Sequence, residues 1–167
     1  MKRVLIALLL AGCSHAEDTP TVQENATPAT GLEAAAIDAG VIPDPASTDI
    51  SGLYARDADR VCIVPSATAY RIGVLVDYGE GHNCSASGKV AQSGDTLDMD
   101  FPAAPGCTFT ARFDGDKIVF PGKVPEACQQ LCRGRASIAA LDLDRLSESV
   151  SEAVTLRDVK GRLLCDG

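Results

Sequence analysis

Between residues 50 and 120 the chain alternates apolar and polar side chains in short runs. Tyr70, Ile72, Val74, Val76 and Tyr78 share one face of a segment whose other face carries Arg71, Gly73, Leu75 and Asp77. Leu97, Met99 and Phe101 alternate with Thr96, Asp98 and Asp100, and Cys107, Phe109, Ala111 and Phe113 alternate with Thr108, Thr110 and Arg112. A period of two sends one face of each run to a core and the other to water, as in half-buried antiparallel strands. Gly79-Glu80-Gly81, Ser93-Gly94-Asp95 and Asp114-Gly115-Asp116 separate consecutive runs, where glycine supplies the positive φ of tight hairpins. The pattern predicts strands near 51–56, 60–64, 69–78, 83–91, 95–101, 107–113 and 116–120. Joined in order, they make an antiparallel meander bent into a curved sheet or small barrel.

After residue 120 the period changes. Pro125 stands where a first helical residue would, and Glu126 to Cys132 follows, closed by Gly134. Ser149 and Glu152 have capping-box spacing, and Val150, Val154 and Arg157 fall on one face of a second helix reaching about Asp158, before Gly161. The fold class expected is therefore mainly β with C-terminal helices (α+β). Residues 50–167 form one domain of ordinary size, divided into a β meander (50–120) and a helical C-terminal part (121–167).

The N-terminal region follows other rules. Lys2 and Arg3 precede an unbroken apolar run from Val4 to Leu10, and small residues Ala11-Gly12 follow. That run is about half the roughly 20 residues needed to span a bilayer, and its flanks are those of a cleaved signal peptide. Leu10-Ala11-Gly12-Cys13 resembles the lipobox of bacterial lipoproteins. The resemblance implies removal of residues 1–12, a thioether-linked diacylglycerol on Cys13 and a further acyl chain on its new amino group. Two or more chains anchor a protein stably, at about 0.8 kcal/mol per buried methylene. Ser14, rather than aspartate, after the lipidated cysteine favours the periplasmic face of the outer membrane under the sorting pattern of that family. Residues 13–49 contain no aromatic residue and, after Cys13, no cysteine. They read as a Thr/Pro/Ala-rich tether with an end-to-end distance of roughly 30 to 35 Å. Within it, Glu33-Ala34-Ala35-Ala36-Ile37 could form a short helix between Gly31 and Gly40.

Charge and cysteine usage agree with export. The full chain has a net charge of −8, and losing Lys2 and Arg3 leaves 13 basic residues against 23 acidic ones, a charge near −10. Nucleic acid is not an expected partner of such a chain. With Cys13 assigned to lipid, Cys62, Cys84, Cys107, Cys128, Cys132 and Cys165 remain, an even set that reads as three disulfides with fifteen connectivities. In a meander Cys84 and Cys107 lie two strands apart, about 9 to 10 Å, beyond bridging distance. The spacing of strand order disfavours Cys62 with Cys84 in the same way, and the pair nominated is Cys107 with Cys128. No C-x-x-C pair is present and, among these six cysteines, only Cys84 has a histidine close by, His82, so neither a metal nor another cofactor is expected.

Candidate chemistry is sparse. His15 falls in the tether and His82 in a predicted hairpin turn, so histidine-based catalysis would have to use His82. Asp95, Asp98 and Asp100, and the pair Asp114 and Asp116, lack calcium-loop spacing and read as strand faces and turns. Ser51-Gly52-Leu53-Tyr54 (S-G-x-x-Y) and Tyr70-Arg71-Ile72-Gly73 (Y-x-x-G) are similar to motifs of the periplasmic lysozyme inhibitors, small disulfide-bearing β-barrel proteins. That resemblance implies a loop serine entering a hydrolase cleft and nominates Ser51, with Tyr54, as candidate binding residues. The favoured function is a non-catalytic, membrane-anchored envelope lipoprotein that binds an envelope protein or cell-wall partner. Inhibition of a lysozyme-like cell-wall hydrolase is the first alternative, and a hydrolase with an unrecognised site the second.

Overall fold

A computed structural model describes residues 31–39, 41 and 49–166; the leader and Cys13 lie outside the described residues. Eight strands follow one another and close into an antiparallel barrel. They are β1 (Gly52–Arg56), β2 (Asp59–Pro65), β3 (Tyr70–Asp77), β4 (Asn83–Ser93), β5 (Thr96–Asp100), β6 (Thr108–Phe113), β7 (Lys117–Val119) and β8 (Asp142–Ser147). The seven strands expected from alternation are all present within two residues at each end. The eighth was not anticipated, and it turns the curved sheet into a barrel by pairing with β1.

The expected C-terminal helices are reduced to single turns. Residues Glu126–Leu131 form a 3-10 helix, and Val150–Ala153 a four-residue α-helix (α2). A further short helix, α1 (Leu32–Asp38), forms at the place expected after Gly31. Ser149 caps α2, its hydroxyl accepting the Glu152 amide at 3.3 Å. The helix stops after one turn because the following chain is held by other contacts. The Leu156 carbonyl accepts the Leu164 amide, and residues 158–162 form a tight loop closed by the Asp158 carboxylate. Asp158 accepts from the Lys160 and Arg162 amides and pairs with the Arg162 guanidinium. Burial would raise its pKa, but the Arg162 and Lys160 hydrogen bonds outweigh that and hold it below the usual carboxylate range. The loop's contribution to stability is thus present throughout neutral pH and is lost only as pH falls through that depressed value.

Inward residues of all eight strands fill the barrel, including Tyr54, Val61, Ile63, Ile72, Val74, Leu97, Met99, Ile118 and Leu143, each no more than 1% exposed. Fully burying one such aliphatic side chain is worth about 1.5 to 3 kcal/mol. A second, smaller cluster lies outside the barrel. Cys62 and Val64 of β2 point outward and are covered by Ala153, Leu164 and Cys165 from the C-terminal arm, so β2 is apolar on both faces. The arm can lie this close because β3 has Gly73 beneath it. A Cβ there would sit 2.5 Å from Leu164 Cβ and 2.7 Å from Cys62 Sγ.

Three disulfides tie the connections to the barrel. Cys62 bonds Cys165 across 103 residues, Cys84 bonds Cys132, and Cys107 bonds Cys128, the pair nominated from strand order. In the chain-entropy account a loop of about 100 residues closed by a bridge contributes about 4.7 kcal/mol. Gly73→Ala is expected to cost about 1 to 3 kcal/mol through overpacking. Gly122→Ala, where a Cβ meets nothing within 4 Å, should stay within about 0.5 kcal/mol of the parent. Urea unfolding of both variants with the disulfides intact checks this.

Candidate functional site

The two ends of the barrel are built differently. One end gathers the 65–70 and 93–96 turns, the Asp114-Gly115-Asp116 turn and the start of β1; the other gathers the 77–83 hairpin, the 100–108 loop and the long excursion from β7 to β8.

At the first end Arg145 of β8 points into the barrel with its side chain only 3% exposed. Its guanidinium lies 5.5 Å from the Tyr54 ring centroid and 5.3 Å from that of Phe113. It donates to the Asp49 and Gly115 carbonyls and pairs with Glu148 at 3.0 Å. Tyr54 is fully buried, and its hydroxyl donates to the Ile50 carbonyl. Burial raises the phenol's pKa well above its ordinary value, with Arg145 opposing. Ser51 is 3% exposed, and a Cβ on Gly52 would lie 2.2 Å from the Ser147 carbonyl oxygen of β8. Ser51-Gly52-Leu53-Tyr54 therefore packs the seam between β1 and β8. The side chains nominated for binding, Ser51 and Tyr54, do not reach the surface. In the second motif, Tyr70 packs against the core and Gly73 makes room for the arm.

The opposite end carries exposed chemistry. The β3–β4 ladder ends at Asp77 and Asn83, and one step further the Tyr78 amide donates to the His82 carbonyl. Directly opposed residues share a face with Cβ atoms about 5 Å apart. The alternation from Val76 and Cys84, both buried in the core, puts Tyr78 and His82 on the same side of the hairpin, beyond the barrel's rim. Here the 3-10 helix turns back on the hairpin. Cys132 bridges to Cys84 by a disulfide and by β-pairing, and the Arg133 amide donates to the Asn83 carbonyl. The Arg135 amide donates to His82 Nδ1 at 3.1 Å, which leaves Nε2 as the ring's donor. Gly134 has φ +64°, and a Cβ there would be 2.0 Å from Nδ1, so the backbone lies in close contact with the imidazole at that atom. His82 is thus a fastener of this loop as well as a rim residue, rather than the solvated turn residue its spacing suggests.

Arg133 and Arg135 are exposed and form no ion pair among the described residues. Cations on β1 and β7, by contrast, are paired. Arg56 and Lys117 both engage Asp142, and Lys117 also engages Asp144. Hydrogen bonds that Lys117 donates to Asp142 and Asp144 raise its pKa, and Lys117 in turn lowers that of Asp142. Tyr78 is 56% exposed, the largest exposed aromatic of the domain. Sequence reasoning placed Tyr78 on the inward face and found no role for Arg133 or Arg135. Their proximity depends on the Cys84–Cys132 bridge, whose partner assignment strand spacing had left open.

Elsewhere, a groove of about 640 Å³ runs between β4 and the C-terminal arm, lined by Ser85, Ser87, Arg157, Asp158 and Arg162 among others. Within it Arg162 pairs with Asp158, and Arg157 donates to the Gly161 carbonyl. Among the described residues no three His, Cys, Asp or Glu side chains converge as a metal centre would require. Comparison with protein-family models, curated proteins and solved structures found no match for this chain.

Gly134→Ala is expected to displace the imidazole and cost about 1 to 3 kcal/mol, from both the clash and the left-handed backbone. In a His82→Ala background the clash is gone, and the same change should cost at least about 1 kcal/mol less. A double-mutant cycle by urea unfolding measures the difference.

Proposed function

We propose that this protein is a lipid-anchored lipoprotein of the bacterial cell envelope whose barrel is a non-catalytic binding domain held away from the membrane on a tether. The observation that carries this reading is the thiol count. All six cysteines of the domain are joined in disulfides, which persist in an oxidising compartment, and Cys13 alone is left to the lipobox. The packed barrel interior suits a rigid platform better than an internal carrier, and it directs recognition to the rims. The periplasmic face of the outer membrane is the location that Ser14 favours.

Cys13→Ala should leave an unlipidated precursor, without incorporation of labelled fatty acid and with its detergent-phase partitioning changed. Labelling of the variant equal to that of the parent would overturn the anchor.

A second reading, inhibition of a cationic cell-wall hydrolase, is favoured by the carboxylates at the Arg145 end. Asp95, Asp114, Asp116 and Glu148 are exposed there, while Arg145 lies buried beneath them. Such a rim would steer a basic partner, with the turns rather than Ser51 making contact. Excess protein should then slow muramidase activity in a salt-sensitive manner. Unchanged rates across a panel of lysozymes would remove this reading.

A further inference from the structure

We propose, granting the binding role above, that the Tyr78–His82–Arg133–Arg135 rim is a site for an acidic saccharide, whose ring lies on Tyr78 and whose carboxylate is held by the two arginines. Three features of the rim converge on that ligand class.

The first is the pairing of an exposed aromatic ring with donors on one rigid frame. Tyr78 and His82 stand on the same side of the hairpin, and the Arg135 amide is bonded to the His82 ring. A tyrosine ring offers an apolar face to sugar C–H groups, while its hydroxyl and the imidazole Nε2–H remain for sugar oxygens. The second is a pair of exposed guanidiniums two residues apart, flanking the Gly134 that lies against His82, which make no ion pair among the described residues of a chain with net charge −8. Guanidinium presents a planar fork of donors that matches a carboxylate bidentately. The third is preorganisation. The Cys84–Cys132 bridge, the Arg133–Asn83 hydrogen bond and the close contact of Gly134 on His82 fix both sides of the rim before a ligand arrives. Less ordering entropy is then lost on binding.

Charge narrows the class further. Two arginines on a strongly acidic protein would not hold a densely charged polymer such as nucleic acid, which the overall field repels. A saccharide with a single carboxylate needs only a local match. Tyr78 is the one large exposed apolar residue of this rim among the described residues, since the others of the barrel domain, Leu146, Val150 and Val159, belong to β8, α2 and the arm, and a single ring matches one sugar ring. Glu80, at the tip of the same turn, is exposed and makes no ion pair among the described residues, so it can accept a sugar hydroxyl.

The test is titration of the full lipidated protein in detergent micelles with four probes: N-acetylmuramic acid, N-acetylglucosamine, lactate and inorganic phosphate. The first combines ring and carboxylate, the next two carry one each, and phosphate reports an oxyanion without a ring. N-acetylmuramic acid should bind at least about tenfold more tightly than any other probe, with Tyr78 and His82 ring signals shifting on binding. Tyr78→Ala, Arg133→Gln and Arg135→Gln should each weaken binding at least about fivefold, and an unchanged melting temperature would show that each variant is folded. Equal affinity for N-acetylglucosamine, tighter binding of phosphate, or no binding by the folded parent would overturn the site. Photocrosslinking from position 78 and from the Arg145 end in intact cells separates the two levels of failure. Partner capture without saccharide binding would leave a binding domain with a different ligand, whereas no capture from either end would count against a binding domain altogether.

Discussion

The architecture depends on a buried cation at the seam where the first strand meets the last. Arg145 reaches inward between Tyr54 and Phe113 and satisfies the Asp49 and Gly115 carbonyls and the Glu148 carboxylate. Those partners come from the segment before β1, the β6–β7 turn and the segment after β8, which otherwise share no local connection. A charge taken out of water is costly unless it is paired and hydrogen-bonded. The guanidinium therefore favours the one arrangement in which all of these groups meet, which is the closed barrel. Closure also leaves no unpaired sheet edge, the usual liability of a meander.

From that closed frame the disulfides position everything else. Cys62–Cys165 holds the C-terminal arm over the outer face of β2, where Gly73 lets Leu164 approach. Cys84–Cys132 and Cys107–Cys128 hold the excursion between β7 and β8 against the opposite end. A 3-10 helix of six residues has little stability of its own, so its place is decided by these links and by Cys128 and Leu131, which are buried in the core. The outcome is a domain with two contrasting ends: one with a buried arginine under exposed carboxylates, the other with two exposed arginines on the loop that His82 fastens and an exposed Tyr78 on the facing hairpin.

The strands between 50 and 120 were legible because their information is local. Ile72, Val74 and Val76 point inward and their neighbours outward, and glycines stand at the turns. β8 was not legible. Leu141 and Leu143 begin an ordinary alternation with Asp142 and Asp144, but Arg145 then takes the inward position and Leu146, 60% exposed, the outward one. Hydrophobic patterning cannot anticipate a strand whose polarity inverts for a reason supplied by other strands. The helices were overread for a related cause. Capping and proline signals marked real starts at Pro125 and Ser149, but helix length was limited by distant contacts.

The sequence by itself determined the alternating strands, the even set of domain cysteines and the acidic charge, because each follows from residue type and spacing along the chain. It also marked Cys13 as the expected site of lipid attachment. Only the tertiary structure decided that the sheet closes, that Ser51-Gly52-Leu53-Tyr54 packs a seam, and that the hairpin of Asn83 and His82 meets the backbone of Arg133 and Arg135. Those facts join residues about fifty or more positions apart, or strands at opposite ends of the domain. They are set by a buried guanidinium and three covalent bridges that no local pattern encodes.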